Sequence, residues 1–278
     1  TPLVEAGYEV VFLSISSGLS GTYQNAVIAA QDLPGVYPVD SLQLTTGMGE
    51  MVLAACEAVG GKKEMAVPFA CALEMIHTYS LIHDDLPAMD NDDYRRGRLT
   101  SHKVYGEDMA ILAGDGLLHH AMETMAQACY ENPCKETTGA MLAIAKGAGI
   151  HGMLTGQVVD VYFEGKPIDK ETLDFIHIHK TAAMIRGALE AGARVGGASE
   201  EVVEKFGLAG EKIGVAFQIL DDILDVTSTM EELGKPVFSD EKNHKVTYVT
   251  LKGLPEASKE VERISGEAVE ELESFPEK

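Results

Sequence analysis

The sequence predicts an all-α protein built of long helices, preceded by a short segment of α/β character. From Met51 onward, apolar residues recur at helical spacing in runs too long for strands, and glycines and prolines punctuate those runs. No strand pattern of comparable strength follows Met51. Residues 1–48 differ: a β-branched run, a Gly/Ser turn, a helix-like stretch and a second β-branched run succeed one another, as in a piece of an α/β unit.

In chain order, residues 9–15 (Glu-Val-Val-Phe-Leu-Ser-Ile) read as a strand, 16–21 as a turn, 22–33 as a helix and 36–41 as a second strand. The first helix of the body covers 51–59 and ends at Gly60-Gly61, a C-cap signal. The second covers 65–83 and stops short of Pro87, which cannot donate into a helix. Further helices are expected over 107–130, 137–162, 170–196, 199–227 and 256–274. The expected division is residues 1–48, a fragment too short to bury a core of its own, and residues 49–278, the functional domain.

The chain carries 22 Lys+Arg against 44 Asp+Glu in 278 residues. So acidic a balance argues against a nucleic-acid-binding surface, which needs a basic stripe. Part of the excess lies in the solvated stretch after Glu256. No apolar run reaches membrane-spanning length and no secretory signal is recognisable, so neither a span nor export is expected. Cys56, Cys71, Cys129 and Cys134 show no CxxC spacing; they read as reduced, mostly buried thiols of a cytoplasmic protein.

Two aspartate clusters carry the chemistry. Asp84-Asp85-Leu-Pro-Ala-Met-Asp90 and Asp221-Asp222-Ile-Leu-Asp225 each interrupt an apolar, helix-forming run. Carboxylates in such settings are costly unless something positive gathers them. Mg²⁺ is the natural candidate, because it takes oxygen ligands, keeps waters and bridges one or two carboxylates to substrate phosphates. On a helix Asp221, Asp222 and Asp225 share one edge, with Gln218 a turn earlier. The first cluster sits at a helix end and is followed by Arg95-Arg96-Gly97-Arg98, whose guanidiniums match phosphate oxygens. An acid–base pairing on a solvated loop is the plain alternative for that stretch.

Residues 71–97 closely resemble the first aspartate-rich region of trans-type isoprenyl diphosphate synthases, and residues 217–226 (Phe-Gln-Ile-Leu-Asp-Asp-Ile-Leu-Asp-Val) resemble the second. Ile111-Leu-Ala-Gly-Asp-Gly-Leu-Leu118, Gly156-Gln-Val-Val-Asp160 and His179-Lys-Thr181 match between them in order and spacing. The likeness runs over about 51–276 and is nearest to bacterial farnesyl and geranylgeranyl diphosphate synthases. It implies an isoprenoid-synthase-type bundle around a central cavity, active as a homodimer. It implies Mg²⁺, three ions with an allylic diphosphate bound, on Asp84, Asp85, Asp90, Asp221, Asp222 and Asp225. Arg95, Lys180 and Lys235 would grip the allylic diphosphate (dimethylallyl, geranyl or farnesyl). Arg96 and His77 would bind isopentenyl diphosphate, and Thr181 and Gln218 would turn oxygen dipoles toward a carbocation. Tyr79 and Ser80, a turn above Asp84, would set product length; a tyrosine there resembles the fifteen-carbon enzymes, making farnesyl diphosphate the first reading and geranylgeranyl the second.

One departure stands out. The family's Gly-Lys-Arg-type basic segment, which binds isopentenyl diphosphate, is missing: no Lys or Arg occurs from Thr1 to Gly61. Residues 12–26 and 39–49 instead resemble parts of DegV-type fatty-acid-binding proteins, in which a serine matching Ser20 helps hold a lipid carboxylate. Two other functions therefore stand beside prenyl transfer: a non-catalytic fatty-acid or isoprenoid-binding protein, and a terpene-cyclase-like enzyme.

Overall fold

A computed structural model of the chain describes residues 10–14, 36–40, 47–95, 98–228 and 245–273. It divides into two compact units, Thr1–Gly47 and Met48–Lys278. In the first, β1 (Val10–Ser14) pairs in parallel with β2 (Val36–Asp40), with Val10 opposite Val36 and Ser14 opposite Asp40. The helix expected over 22–33 lies outside the described residues.

The second unit is helical. Its elements are α1 (Met48–Ala58), α2 (Lys63–Asp84), α3 (Ser101–Tyr105), α4 (Glu107–Glu131), α5 (Lys135–Ala148), α6 (Met153–Phe163), α7 (Lys170–Ile176), α8 (Ala183–Val195), α9 (Glu200–Thr227), α10 (Tyr248–Lys252) and α11 (Leu254–Glu273). A π-helical stretch, His177–Ala182, joins α7 to α8 without a break. Between α2 and α3, β3 (Tyr94–Arg95) and β4 (Arg98–Leu99) form a minimal antiparallel ladder.

Most expected helices are present within a few residues of their bounds. The run 137–162 is two helices, because Gly149 to Gly152 interrupts the ladder: a Cβ on Gly152 would stand 2.1 Å from the Gly147 carbonyl oxygen. The ladder, α3 and α10 carried no readable periodicity, being too short to complete two turns or two alternations, and the π-helical winding of 177–182 falls inside the helix expected over 170–196.

Helix α8 is the hub. It packs against α1, α5, α9 and α2, and its Gly187, Ala188, Ala191, Gly192 and Ala193 are all buried. A helix enclosed on several sides can bring its neighbours close only with small side chains, and this sequence supplies them. The main core joins Phe69, Leu73 and Ile76 of α2 to Val52 of α1, Met125 of α4, Ile144 of α5 and Ile185 of α8. A second cluster ties Ile219 of α9 to Tyr248 and Ile264.

Two expectations change. Helix α2 is 22 residues long and contains an 18-residue stretch of mean hydropathy 1.3, enough by length and composition to cross a membrane. Its Phe69, Leu73 and Ile76 are fully buried among other helices, so the apolarity serves the core. The cysteines are not mostly buried: Cys56 is, Cys129 is half-buried, and Cys71 and Cys134 are exposed.

Candidate active site

Both aspartate clusters fall at helix C-terminal ends. Asp84 closes α2, and the chain turns through Asp85 and Leu86 to Asp90. Asp221, Asp222 and Asp225 lie in the last two turns of α9. Each end is the negative pole of its helix, so the acids add to an already negative field that favours cations.

Within the first cluster the carboxylates have different surroundings. Asp85 is buried, and Arg95 forks onto it: Nε donates to Oδ1 at 2.8 Å and Oδ2 at 3.0 Å, while Nη2 lies 2.6 Å from Oδ1. Burial would lower the Arg95 guanidinium, but its hydrogen bonds to Asp85 hold it above its ordinary pKa. Acid and base do pair here, in a half-buried setting and not on a solvated loop. Asp84 accepts a hydrogen bond from Nε2 of Gln157. Burial pushes the Asp84 carboxyl above its usual range; Lys180 opposes this and Asp90 reinforces it.

The second cluster also divides. Asp222 and Asp225 are buried and Asp221 is half-buried, so the three do not share one solvent edge. The backbone N–H of Tyr248 donates to Asp222 Oδ2 at 2.7 Å. His177 Nε2 lies 3.9 Å from the same oxygen. Burial lowers the His177 imidazole to about 4, so it stands as a neutral ring beside the carboxylate at neutral pH, not as an ion-pair partner.

The π-helical stretch bridges the clusters. Lys180 Nζ donates to Asp160 Oδ2 at 2.6 Å, and Thr181 Oγ1 donates to Gln218 Oε1 at 2.8 Å. Lys245 Nζ lies 3.6 Å from Asp90 and 3.8 Å from Asp160. Burial would raise the Asp160 carboxyl, but Lys180 and Lys245 bring it below its ordinary value, so it stays ionised. Close glycines seat this stretch from two sides. A Cβ on Gly156 of α6 would stand 2.1 Å from the Lys180 nitrogen, and one on Gly214 of α9 2.4 Å from Ala182 Cα. An extra residue per turn in a helix is a device that recurs at functional sites, since it redirects side chains without ending the helix.

His77, Tyr79 and Ser80 lie half-buried on α2. Tyr79 packs against the main core, edge-on to His83 at 5.7 Å between ring centroids. Ser80 Oγ donates back to the His77 carbonyl at 2.8 Å. His83 Nε2 lies 3.0 Å from the Ile111 carbonyl, over Gly114, which gives the Ala-Gly-Asp-Gly run of α4 a packing reason. Arg96 and Lys235 lie outside the described residues. Sequence reasoning assigned no role to Gln157, Asp160, His177 or Lys245. Asp160 carried a usable signal, a lone carboxylate between Val158-Val159 and Val161-Tyr162 that demands a buried partner; Lys245 carried none.

Among the described residues no group of three or more His, Cys, Asp or Glu forms a ready metal cage. Mg²⁺ takes few protein oxygens and fills its octahedron with water and phosphate. Half-buried Asp84, whose anion is disfavoured first by burial and then by nearby Asp90, is a carboxylate a divalent cation would relieve.

The helical bundle brings two acidic helix ends to either side of Lys180, Thr181 and Gln218, a set of oxygen donors and an ammonium suited to a divalent cation and phosphate. The chain belongs to the polyprenyl synthetase family, the family of the trans-prenyltransferases, which it matches over residues 49–277. Residues 1–76 match the DegV family, so the two matches overlap in α1 and α2. It is 48% identical over 229 residues to a geranylgeranyl diphosphate synthase of Cyanophora paradoxa, covering 82% of this chain and 76% of the relative. It is 49% identical over 230 residues to a chloroplastic geranylgeranyl pyrophosphate synthase of Catharanthus roseus, covering 82% of this chain and 64% of that one. Among solved structures, a Helicobacter pylori geranyltransferase complexed with magnesium and isoprenyl diphosphate superposes with a TM-score of 0.71 at 32% identity, covering 94% of this chain and 92% of that one. The chain thus spans less than two thirds of the Catharanthus relative.

Proposed function

We propose that residues 49–278 form a magnesium-dependent prenyltransferase that condenses an allylic diphosphate with isopentenyl diphosphate, and that residues 1–48 are a fragment without a function of their own. The observation that supports this reading best is the set of contacts bridging the clusters: Asp84 to Gln157, Asp160 to Lys180, and Thr181 to Gln218 on the helix of Asp221. The family and the magnesium-bound relative support it further.

Magnesium, three ions with the allylic substrate bound, would be held by Asp84, Asp85 and Asp90 on one side and Asp221, Asp222 and Asp225 on the other, and would neutralise charge on the departing diphosphate. Lys180 and Arg95, with Lys235, add fixed positive charge to the same oxygens as the allylic C–O bond breaks and its electron pair leaves with the diphosphate. Thr181 and Gln218 present oxygen dipoles to the cation left behind. The double bond of isopentenyl diphosphate, held by His77 and Arg96, then attacks that cation, and the adduct loses a proton to the released diphosphate.

Geranylgeranyl diphosphate is the proposed product, because the relatives bear that name. This reverses the order drawn from Tyr79. The half-buried Tyr79 ring keeps farnesyl diphosphate as a second reading. A homodimer in a reducing compartment, cytoplasmic or plastid, completes the proposal. Incubation with Mg²⁺, geranyl diphosphate and labelled isopentenyl diphosphate tests it: chain elongation is expected. Diphosphate release with a cyclic product, or lipid binding without turnover, would replace it with the terpene-cyclase or the binding reading. The stretch from Thr1 to Gly61 without Lys or Arg is the observation that keeps those readings alive.

A further inference from the structure

Asp160 lies at the meeting point of two cations and belongs to neither aspartate cluster. Its Oδ2 accepts from Lys180 Nζ at 2.6 Å and lies 3.8 Å from Lys245 Nζ, which is itself 3.6 Å from Asp90. Side-chain exposure is low at all three residues: 19% for Asp160, 24% for Lys180 and 22% for Lys245. Two ammonium groups held this near one carboxylate repel each other, and their mutual burial is tolerable only with an anion between them. Nothing else on α6 could serve, since the residues flanking Asp160 are valines, a tyrosine and a phenylalanine.

The backbone fixes the arrangement. Gly156, one turn earlier on α6, lets that helix touch the Lys180 backbone. Gln157, three residues before Asp160 and on its face, reaches Asp84. Helix α6 thereby sets the spacing between Asp84 and the ammonium of Lys180.

We propose that Asp160 is a positioning residue, the resting counter-ion that keeps Lys180 and Lys245 poised beside Asp84 and Asp90 until diphosphate oxygens take both lysines. Without it, Lys180 still faces Asp84 and Lys245 still faces Asp90 among the described residues. A lysine drawn onto either one competes directly with the metal. The role of Asp160 is to hold Lys180 off Asp84 and to share Lys245 with Asp90, keeping both lysines within reach of the substrate.

The inference rests on the prenyl transfer reading, and its test separates the two. Wild type, Asp160→Asn and Asp160→Glu are compared for the KM of geranyl diphosphate and the Mg²⁺ concentration at half-maximal rate. Each is also titrated calorimetrically with inorganic diphosphate, with and without Mg²⁺. Asp160→Asn is expected to raise both the KM and the Mg²⁺ requirement about tenfold, with kcat changed about threefold or less. Inorganic diphosphate binding in Mg²⁺ should weaken in parallel, and Asp160→Glu should restore most of each loss. A fall in kcat with KM and Mg²⁺ requirement unchanged would overturn the proposal, as would equal diphosphate binding by all three proteins. Absence of elongation by wild type would instead sink the prenyltransferase reading, while diphosphate binding would still report on Asp160.

Discussion

Gly156 and Lys180 meet backbone to backbone: a Cβ on the glycine would stand 2.1 Å from the lysine nitrogen. This contact places Gln157 and Asp160 of α6 against the π-helical stretch, and so fixes Lys180 relative to Asp84. Gly156→Ala should force α6 outward, at a cost of about 1–3 kcal/mol from overpacking. The expected outcome is a lower thermal midpoint with helicity retained by circular dichroism, and a loss of at least about tenfold in kcat/KM. Wild-type kcat/KM in the variant would show that the close contact does not position the lysine.

Asp84 and Asp221 are both half-buried, one at each helix end, and each is the first acid of its cluster. Asp84→Ala and Asp221→Ala should each remove most turnover, by a factor of about 10² or more, while leaving helical content intact. Elongation of geranyl diphosphate at saturating Mg²⁺ is the measurement. Near-normal rates in either variant would remove that carboxylate from the metal site.

The two clusters were legible because several acids set in apolar runs repel one another and need a cation to hold them there, and their ordered company, such as His179-Lys-Thr181, narrowed the reading further. The distinctions among them were not legible. Arg95, read as a phosphate ligand, also forks onto Asp85 ten residues earlier, a pairing between a strand and a helix end that residue spacing does not reveal. Asp222 looked equivalent to Asp221 by helical spacing, but only Asp222 meets the Tyr248 N–H, a contact across 26 residues that no local pattern encodes. The π-helical stretch was invisible for a similar reason. Its sequence, His-Ile-His-Lys-Thr-Ala, has ordinary helical propensity, and its geometry comes from the glycines of α6 and α9 pressing on it.

The Tyr79 ring stands half-buried between the main core and His83, a turn above Asp84. Burial pushes its hydroxyl above the ordinary pKa, so it is a neutral phenol at working pH. If the chain of the growing product passes that ring, Tyr79→Ala opens space and should shift the product to longer isoprenoids, read by chromatography of the dephosphorylated alcohols. An unchanged product distribution would place the floor of the cavity at other residues and remove the argument for farnesyl diphosphate.

His177 offers a prediction that does not depend on catalysis. Its imidazole is held at about 4 by burial, against 6.5 when unfolded. Between those values the unfolded chain binds a proton that the folded one refuses, so acid favours unfolding. The neutral ring's contribution is complete above pH 6.5 and is lost progressively as pH falls toward 4, by about 3 kcal/mol at most. Asp84 works in the opposite sense, because its raised carboxyl takes up a proton more readily when folded, so the total pH dependence mixes both. The difference between wild type and His177→Gln isolates the histidine. Urea unfolding at pH 7 and pH 4.5 should show wild type losing more stability than the variant over that interval, whatever the variant's absolute stability. Equal losses in the two proteins would mean that His177 titrates normally in the folded chain, and that its ring has access to water or to the Asp222 carboxylate as a cation.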